Sequence, residues 1–186
     1  RLGFTDASKL DEIVSAVESA NANQLTIHAR TKQDGYRPPA YWHFIAEIKA
    51  KYDIEIFANG EIWNKEDAIA CRKVSGCDDI MIGRGALATP NLAAMVAGIS
   101  EKMSWLDVVV MILDYRKVQV IGSKGHHYSS RVKQWLTQMR QSYPEANELF
   151  TPIRKIKQSD DMQVAIERYL DAKINNKLAQ WQQLYS

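Results

Sequence analysis

Across residues 5–22 the apolar side chains Leu10, Ile13, Val14 and Val17 recur at the i, i+3, i+4, i+7 spacing of one helix face, with polar residues between them. The pattern predicts a helix there, with Thr5 or Asp6 as its N-cap. A β-rich run at residues 25–29 follows, then a polar loop over 30–40 holding Gly35, Pro38 and Pro39, then a helical pattern over 42–51. The unit recurs: a strand at 54–58 leads to a helix at 65–74, with Asn64 placed to cap its start and Gly76 to stop it. A third strand at 80–82 leads to a helix at 91–97. The strand starts are set apart by roughly the thirty residues that a crossover between parallel strands needs. The first half therefore predicts an α/β arrangement, parallel strands with helices against the sheet.

After Gly98 the period changes. Long helical stretches at 105–120 and 128–142 have no strand between them, and two more begin near Ala146 and Ser159. This half predicts an all-α bundle, with the boundary at 98–104 and Ser104 capping the next helix. Two domains are expected, 1–98 and 104–186.

Charge sharpens the division. Residues 1–100 carry 11 basic and 13 acidic side chains, a net of −2, whereas residues 101–186 carry 13 and 9, a net of +4. Within the second half, residues 115–144 hold Arg116, Lys117, Lys124, Arg131, Lys133 and Arg140, two histidines and no acid. So long a run without a carboxylate points to a polyanionic partner. The helix over 128–142 reads as amphipathic, with Val132, Trp135, Leu136 and Met139 buried and Arg131, Gln138, Lys133 and Arg140 reaching a shared or adjacent surface. The five tryptophans, Trp42, Trp63, Trp105, Trp135 and Trp181, read as packing residues. Cys71 and Cys77 are the only cysteines and have no metal-ligand spacing, so neither a disulfide framework nor a zinc site is expected. A reducing cytoplasm fits this cysteine usage, no run of apolar residues is long enough to cross a bilayer, and no secretory pattern opens the chain. Arg1-Leu2-Gly3-Phe4 reads as the tail of a strand, with no initiating Met, and is expected to continue from sequence upstream.

Two short motifs stand where strands end: Ala58-Asn59-Gly60-Glu61 after the second strand and Gly83-Arg84-Gly85-Ala86 after the third. Ligands of α/β sheets bind at the carboxyl ends of strands, where glycines let the backbone approach closely. Arg84 between glycines adds a charge suited to phosphate. His28 sits in the first strand, followed by Arg30 and Thr31 at its end; a lone histidine in a strand is more often a satisfied core residue than a catalytic one.

These motifs in this order, with Arg1-Leu2-Gly3, His28-Ala29-Arg30-Thr31, Met81-Ile82-Gly83-Arg84-Gly85-Ala86 and the later Arg131-Val132-Lys133-Gln134-Trp135-Leu136, resemble the tRNA-dihydrouridine synthase family over essentially the whole chain. Gly76-Cys77-Asp78 and Glu148-Leu149-Phe150 are most similar to its C-type bacterial branch, which acts on uridine 16 of tRNA. The resemblance implies an α/β plus all-α fold: the carboxyl-terminal half of a TIM (β/α)8 barrel, strands six to eight, followed by a helical bundle that docks tRNA. It implies FMN as cofactor and NADPH as reductant. His28, Asn59, Gly60, Glu61, Gly83 and Arg84 would hold FMN, and Tyr36, Arg131, Lys133, Gln138 and Arg154 would meet RNA, Tyr36 by stacking on a base.

The family's proton-donor cysteine and a flavin-contacting lysine lie upstream of the motif at Arg1, so the chain alone is expected to lack activity. Cys71 on an outer helix, Cys77 at the far end of its strand and Lys9 on a surface helix do not replace them. A half barrel is expected to leave strand edges and an apolar interior uncovered, and so to self-associate. Two other readings stand beside this one: another FMN or sugar-phosphate barrel enzyme, and a non-catalytic RNA-binding module.

Overall fold

The structure, a computed structural model, describes residues 1–118, 125–176 and 178–184. Lys124 and the end of the helix expected to reach Val120 lie outside the described residues. The chain divides into two compact units, Arg1–Ala86 with Leu92–Glu101, and Leu87–Asn91 with Lys102–Ser186.

In the first unit the elements run α1 (Leu10–Ser19), β1 (Gln24–His28), α2 (His43–Lys49), β2 (Glu55–Asn59), α3 (Lys65–Ser75), β3 (Ile80–Met81), α4 (Arg84–Ala88), which ends in the second unit, and α5 (Leu92–Val96). The three strands are parallel in the order β1-β2-β3, and the sheet is open. Ile27, Ile56 and Ala58 point to a core they share with Val14, Ile45, Ile48 and Ala68 of the helices. The local signals act as their chemistry requires: the Asn64 side chain accepts from the Asp67 amide at 2.7 Å, and Gly76 ends α3 in the left-handed region at φ 69.

Three expectations need correction here. Helix α1 starts at Leu10, and neither Thr5 nor Asp6 caps it; Asp6 instead accepts from the Ser8 amide at 2.9 Å, closing a separate turn ahead of the helix. An Asx-type turn competes with the helix for the same backbone groups. Past β3 the chain forms two short helices, α4 and α5, in place of one. The sheet face turned away from the core is mixed, not an apolar interior: it carries Thr26 and His28 from β1, Glu55, Phe57 and Asn59 from β2, and Met81 from β3.

The second unit contains α6 (Trp105–Lys117), α7 (His127–Met139), α8 (Glu145–Ile153), α9 (Ser159–Ile174) and α10 (Leu178–Leu184). The last of these was not foreseen in the sequence. Ser104 caps α6 by accepting from the Asp107 amide at 3.2 Å. Val109, Ile112, Val132, Leu136, Leu149 and Ile166 form the centre of a separate core. Inside it the Trp105 indole donates to the Tyr169 hydroxyl at 2.9 Å, and that hydroxyl donates to Glu148 Oε1 at 2.7 Å. Lys173 Nζ reaches the same carboxylate oxygen at 2.8 Å. Residues 87–91 belong with this unit, held by Thr89 Oγ1 to Ser142 Oγ at 2.7 Å and by Asn91 Oδ1, which accepts from the Met103 amide at 3.1 Å.

Candidate functional site

Parallel register places His28 opposite Asn59, and Asn59 opposite Met81, so one side chain from the end of each strand stands in a row across the sheet. The loops that leave β2 and β3 fold over this row. The β2 loop turns sharply: Gly60 has φ 121 and Glu61 has φ 58. The first is open to glycine; the second is a left-handed conformation that costs other residues about 1 kcal/mol. A Cβ on Gly60 would lie 3.0 Å from His28 Cδ2, so glycine is needed for space as well as for its dihedral angle. The Trp42 indole donates to the Gly60 carbonyl at 2.9 Å and fixes the turn. Asn59 Nδ2 donates to the Met81 carbonyl at 2.7 Å, tying β2 to β3 at the same level.

The β3 loop is held as tightly. A Cβ on Gly85 would overlap the Ile62 carbonyl oxygen, while one on Gly83 would meet nothing. Gly85 thus serves close backbone packing between the two loops, and Gly83 leaves open space beside Arg84.

The result is a cavity of about 430 Å³ lined by all six residues expected to hold FMN, His28, Asn59, Gly60, Glu61, Gly83 and Arg84, together with Tyr36, Trp63 and Arg1. Sequence reasoning missed Arg1, Trp63 and the part played by Arg30. Trp63 is not a core residue: it belongs to neither core cluster, its ring lies 5.0 Å from the Arg84 guanidinium, and its indole donates to Glu61 Oε1 at 2.7 Å. Arg30 is fully buried, forms an ion pair with Glu61 and donates to the Pro39 carbonyl at 3.2 Å. Its Nη1 atom has no protein partner among the described residues. Arg1 donates to the Thr31 carbonyl at 2.6 Å and to the Gly35 carbonyl at 2.9 Å. Tyr36, expected to stack on RNA, is exposed, and its ring lies 4.4 Å from the Arg84 guanidinium and 5.3 Å from that of Arg1.

The charges of three guanidinium groups thus act on a site whose lining carboxylate, Glu61, is already paired. The His28 imidazole registers this field: burial, then the charges of Arg1 and Arg30, push it down to about 4, so it is neutral at physiological pH. Such a site disfavours a further cation and favours an anion. Cys71 and Cys77 are buried and free, and burial pushes the Cys71 thiol up to about 11; neither lines the cavity. Among the described residues no cluster of three His, Cys, Asp or Glu could hold a metal ion, and no helix is long and apolar enough to cross a membrane.

In the helical unit, the residues expected to meet RNA are spread over two flanks of α7. Arg131 and Gln138 lie seven residues apart on one side; Lys133, about 200° from Arg131, lies with Arg140 on the other. Buried Val132, Leu136 and Met139 separate them, so the four do not share one face. Arg131 is exposed and donates to Gln134 Oε1 at 3.0 Å. Lys133 Nζ donates to the Ile156 carbonyl at 2.9 Å and joins His126, Ser130 and Lys157 around a cavity of about 320 Å³. Arg154 is exposed beside Lys155, Asn147 and Gln182 at another cavity, of about 420 Å³.

The family model described as "Dihydrouridine synthase (Dus)" matches residues 1–177, and the chain belongs to that family. Among curated relatives it is 46% identical over 172 residues to the "tRNA-dihydrouridine(16) synthase" of Vibrio parahaemolyticus, covering 92% of this chain and 53% of the relative. It is 44% identical to the protein of the same name from Shewanella oneidensis and 41% identical to that from Escherichia coli, in both cases over 90% of this chain and 53% of the relative. The chain spans about half the length of the curated relatives it matches.

Proposed function

We propose that the protein to which this chain belongs reduces a uridine of tRNA, the one at position 16 in the D-loop, to dihydrouridine, using FMN and NADPH. The observation that carries the reading is the cavity at the strand ends, where Arg84, Gly83 and the Gly60-Glu61 turn surround open space in a field of three guanidinium groups. Its residues fit a flavin mononucleotide. Gly83 leaves room beside the Arg84 guanidinium for a phosphate, and Asn59 and Glu61 offer polar groups for a hydroxylated chain. When bound, FMN would supply the reducing equivalents for a pyrimidine double bond. The chain's own part is to hold that group, with a neutral His28 beside it and the phosphate end neutralised by Arg84.

The strand ends would be those of strands six to eight of a TIM (β/α)8 barrel that the whole protein closes. The helical unit would dock tRNA through Arg131, Lys133, Gln138 and Arg154, on the two flanks of α7 and beside α8. Backbone phosphates would be their main contacts, leaving the barrel to read one extruded base. Cytoplasm, where tRNA is processed, is the compartment this reading implies. Neither Cys71 nor Cys77 lines the cavity to stand for the proton-donor cysteine that the family resemblance implies, and the 186 residues alone are read as inactive. They are also read as self-associating through the open sheet, which light scattering would test.

The test is FMN titration of the whole protein, wild type and Arg84→Ala, followed by dihydrouridine analysis of tRNA lacking the modification. Tight FMN binding lost in Arg84→Ala, with product at position 16, supports the reading. Absence of flavin binding with intact tRNA affinity would instead favour the non-catalytic RNA-binding module.

A further inference from the structure

We infer that Trp63 and Tyr36 are positioning residues that hold the Arg84 guanidinium over their rings, so that its N–H donors are kept for a phosphomonoester before the ligand arrives. The inference rests on the FMN reading of the cavity and goes beyond it by assigning the phosphate's affinity to an aromatic brace.

The three guanidinium groups of the site differ in what they already do. Arg1 Nη1 gives its donors to two loop carbonyls, and Arg30 is committed to Pro39 and Glu61. The Arg84 guanidinium makes no hydrogen bond to the protein among the described residues; it lies 4.4 Å from the Tyr36 ring centroid and 5.0 Å from that of Trp63. A guanidinium places all five N–H donors in its own plane, and aromatic rings attract it through its faces. Holding the group by ring contact instead of by hydrogen bonds therefore leaves its donors uncommitted, as bidentate phosphate recognition requires. It also restricts a long side chain in advance, removing an ordering cost that binding would otherwise bear.

The clamp is itself anchored. Trp63 is fixed by its indole N–H on Glu61 Oε1 at 2.7 Å and by its backbone amide on Asp67 Oδ2 at 2.9 Å, and Glu61 is held by buried Arg30. Trp63 thus transmits the β2 loop's rigidity to the β3 loop's arginine. A residue with only a packing role would not need its ring over one cation and its N–H on the carboxylate that neutralises another.

The experiment compares FMN with riboflavin, which lacks the phosphate, by fluorescence titration of the protein at its full natural length. In Trp63→Leu, FMN affinity should fall about tenfold, the scale of one strong cation–π contact with its positioning effect, while riboflavin affinity and the affinity for tRNA stay within a factor of about two. Tyr36→Leu should show the same loss for FMN over riboflavin, read on the two flavins alone because this ring is also read as an RNA contact, and Trp63→Phe, which keeps a ring face, a smaller one. Should Trp63→Leu fail to fold, the other two variants carry the comparison. An equal loss for both flavins would mean a merely structural role and overturn the inference, as would unchanged FMN affinity. Loss of tRNA affinity with FMN unaffected would assign the clamp to an RNA phosphate and overturn it too. If the wild-type protein binds neither flavin, the FMN reading itself falls; if it binds FMN and the clamp variants do not weaken it, only the clamp does.

Discussion

Replacing Glu61 with Ala isolates the energetic centre of the site. Arg30 has no exposed surface, and its guanidinium stays ionised because an arginine does not release its proton in a protein. Glu61 is its counter-charge, and the Glu61 side chain is 23% exposed. Removing one partner of a buried ion pair typically costs about 3–5 kcal/mol, because the remaining charge stays desolvated. Partial exposure at the Glu61 end lets water reach the gap, and the Pro39 carbonyl still accepts from Arg30 Nε, so the low end applies, about 3 kcal/mol. The left-handed backbone at residue 61 does not enter, since Glu and Ala carry the same Cβ. For a chain of this length that loss corresponds to roughly 6–12 °C in melting midpoint.

Arg30→Met should cost less, about 2 kcal/mol, because the carboxylate left behind keeps its Trp63 donor and some water. The double variant contains neither charge, so its loss should fall short of the sum of the singles by roughly 2 kcal/mol. Urea denaturation followed by circular dichroism measures all four proteins. A Glu61→Ala loss below about 1 kcal/mol, or strict additivity in the cycle, would refute the claim that a coupled buried pair braces the β2 loop.

Other consequences are as direct. Because the folded-state pKa of His28 is depressed to about 4 while the unfolded side chain titrates near its ordinary 6.5, the unfolded chain takes up a proton first as pH falls. Stability is therefore lost between those two values and changes no further from this group below about 4; His28→Gln should flatten that part of the stability profile, and a phosphate ligand should raise the imidazole pKa in an NMR titration. Gly85→Ala should cost about 1–3 kcal/mol, since its Cβ meets the Ile62 carbonyl and lies 2.8 Å from Leu92 Cδ2, whereas Gly83→Ala should leave the melting midpoint nearly unchanged and lower FMN affinity by crowding the space beside Arg84. Replacing Arg131 and Lys133 together with Ala should weaken tRNA binding and reduce the slope of log affinity against log salt by about 2; an unchanged slope would remove both from the RNA surface.

The sequence alone determined the features that depend on near neighbours. Alternation of strand and helix, the Asn64 and Ser104 caps and the Gly76 stop are settled within a few residues, and all are found where their chemistry puts them. The two glycine loops were legible for the same reason, since a turn after a strand is a local event and their common position at the carboxyl ends of the strands follows from parallel topology. Helix α1 marks where even local reading fails: Asp6 closes a turn at Ser8 and does not cap the helix.

What the tertiary structure decided is which distant side chains meet. Residues 28, 59 and 81 form a row only because parallel pairing fixes a register across crossovers of about thirty residues. Nothing near Trp63 in the chain distinguishes a packing tryptophan from one laid against Arg84, and nothing near Arg30 states that its charge will be buried against Glu61. The acid-free run groups its cations in sequence, but packing of Val132, Leu136 and Met139 leaves Arg131 on one flank of α7 and Lys133 with Arg140 on the other. Burial and convergence are properties of the folded surface, and a carboxylate or an indole acquires its role from what the other loops bring to it.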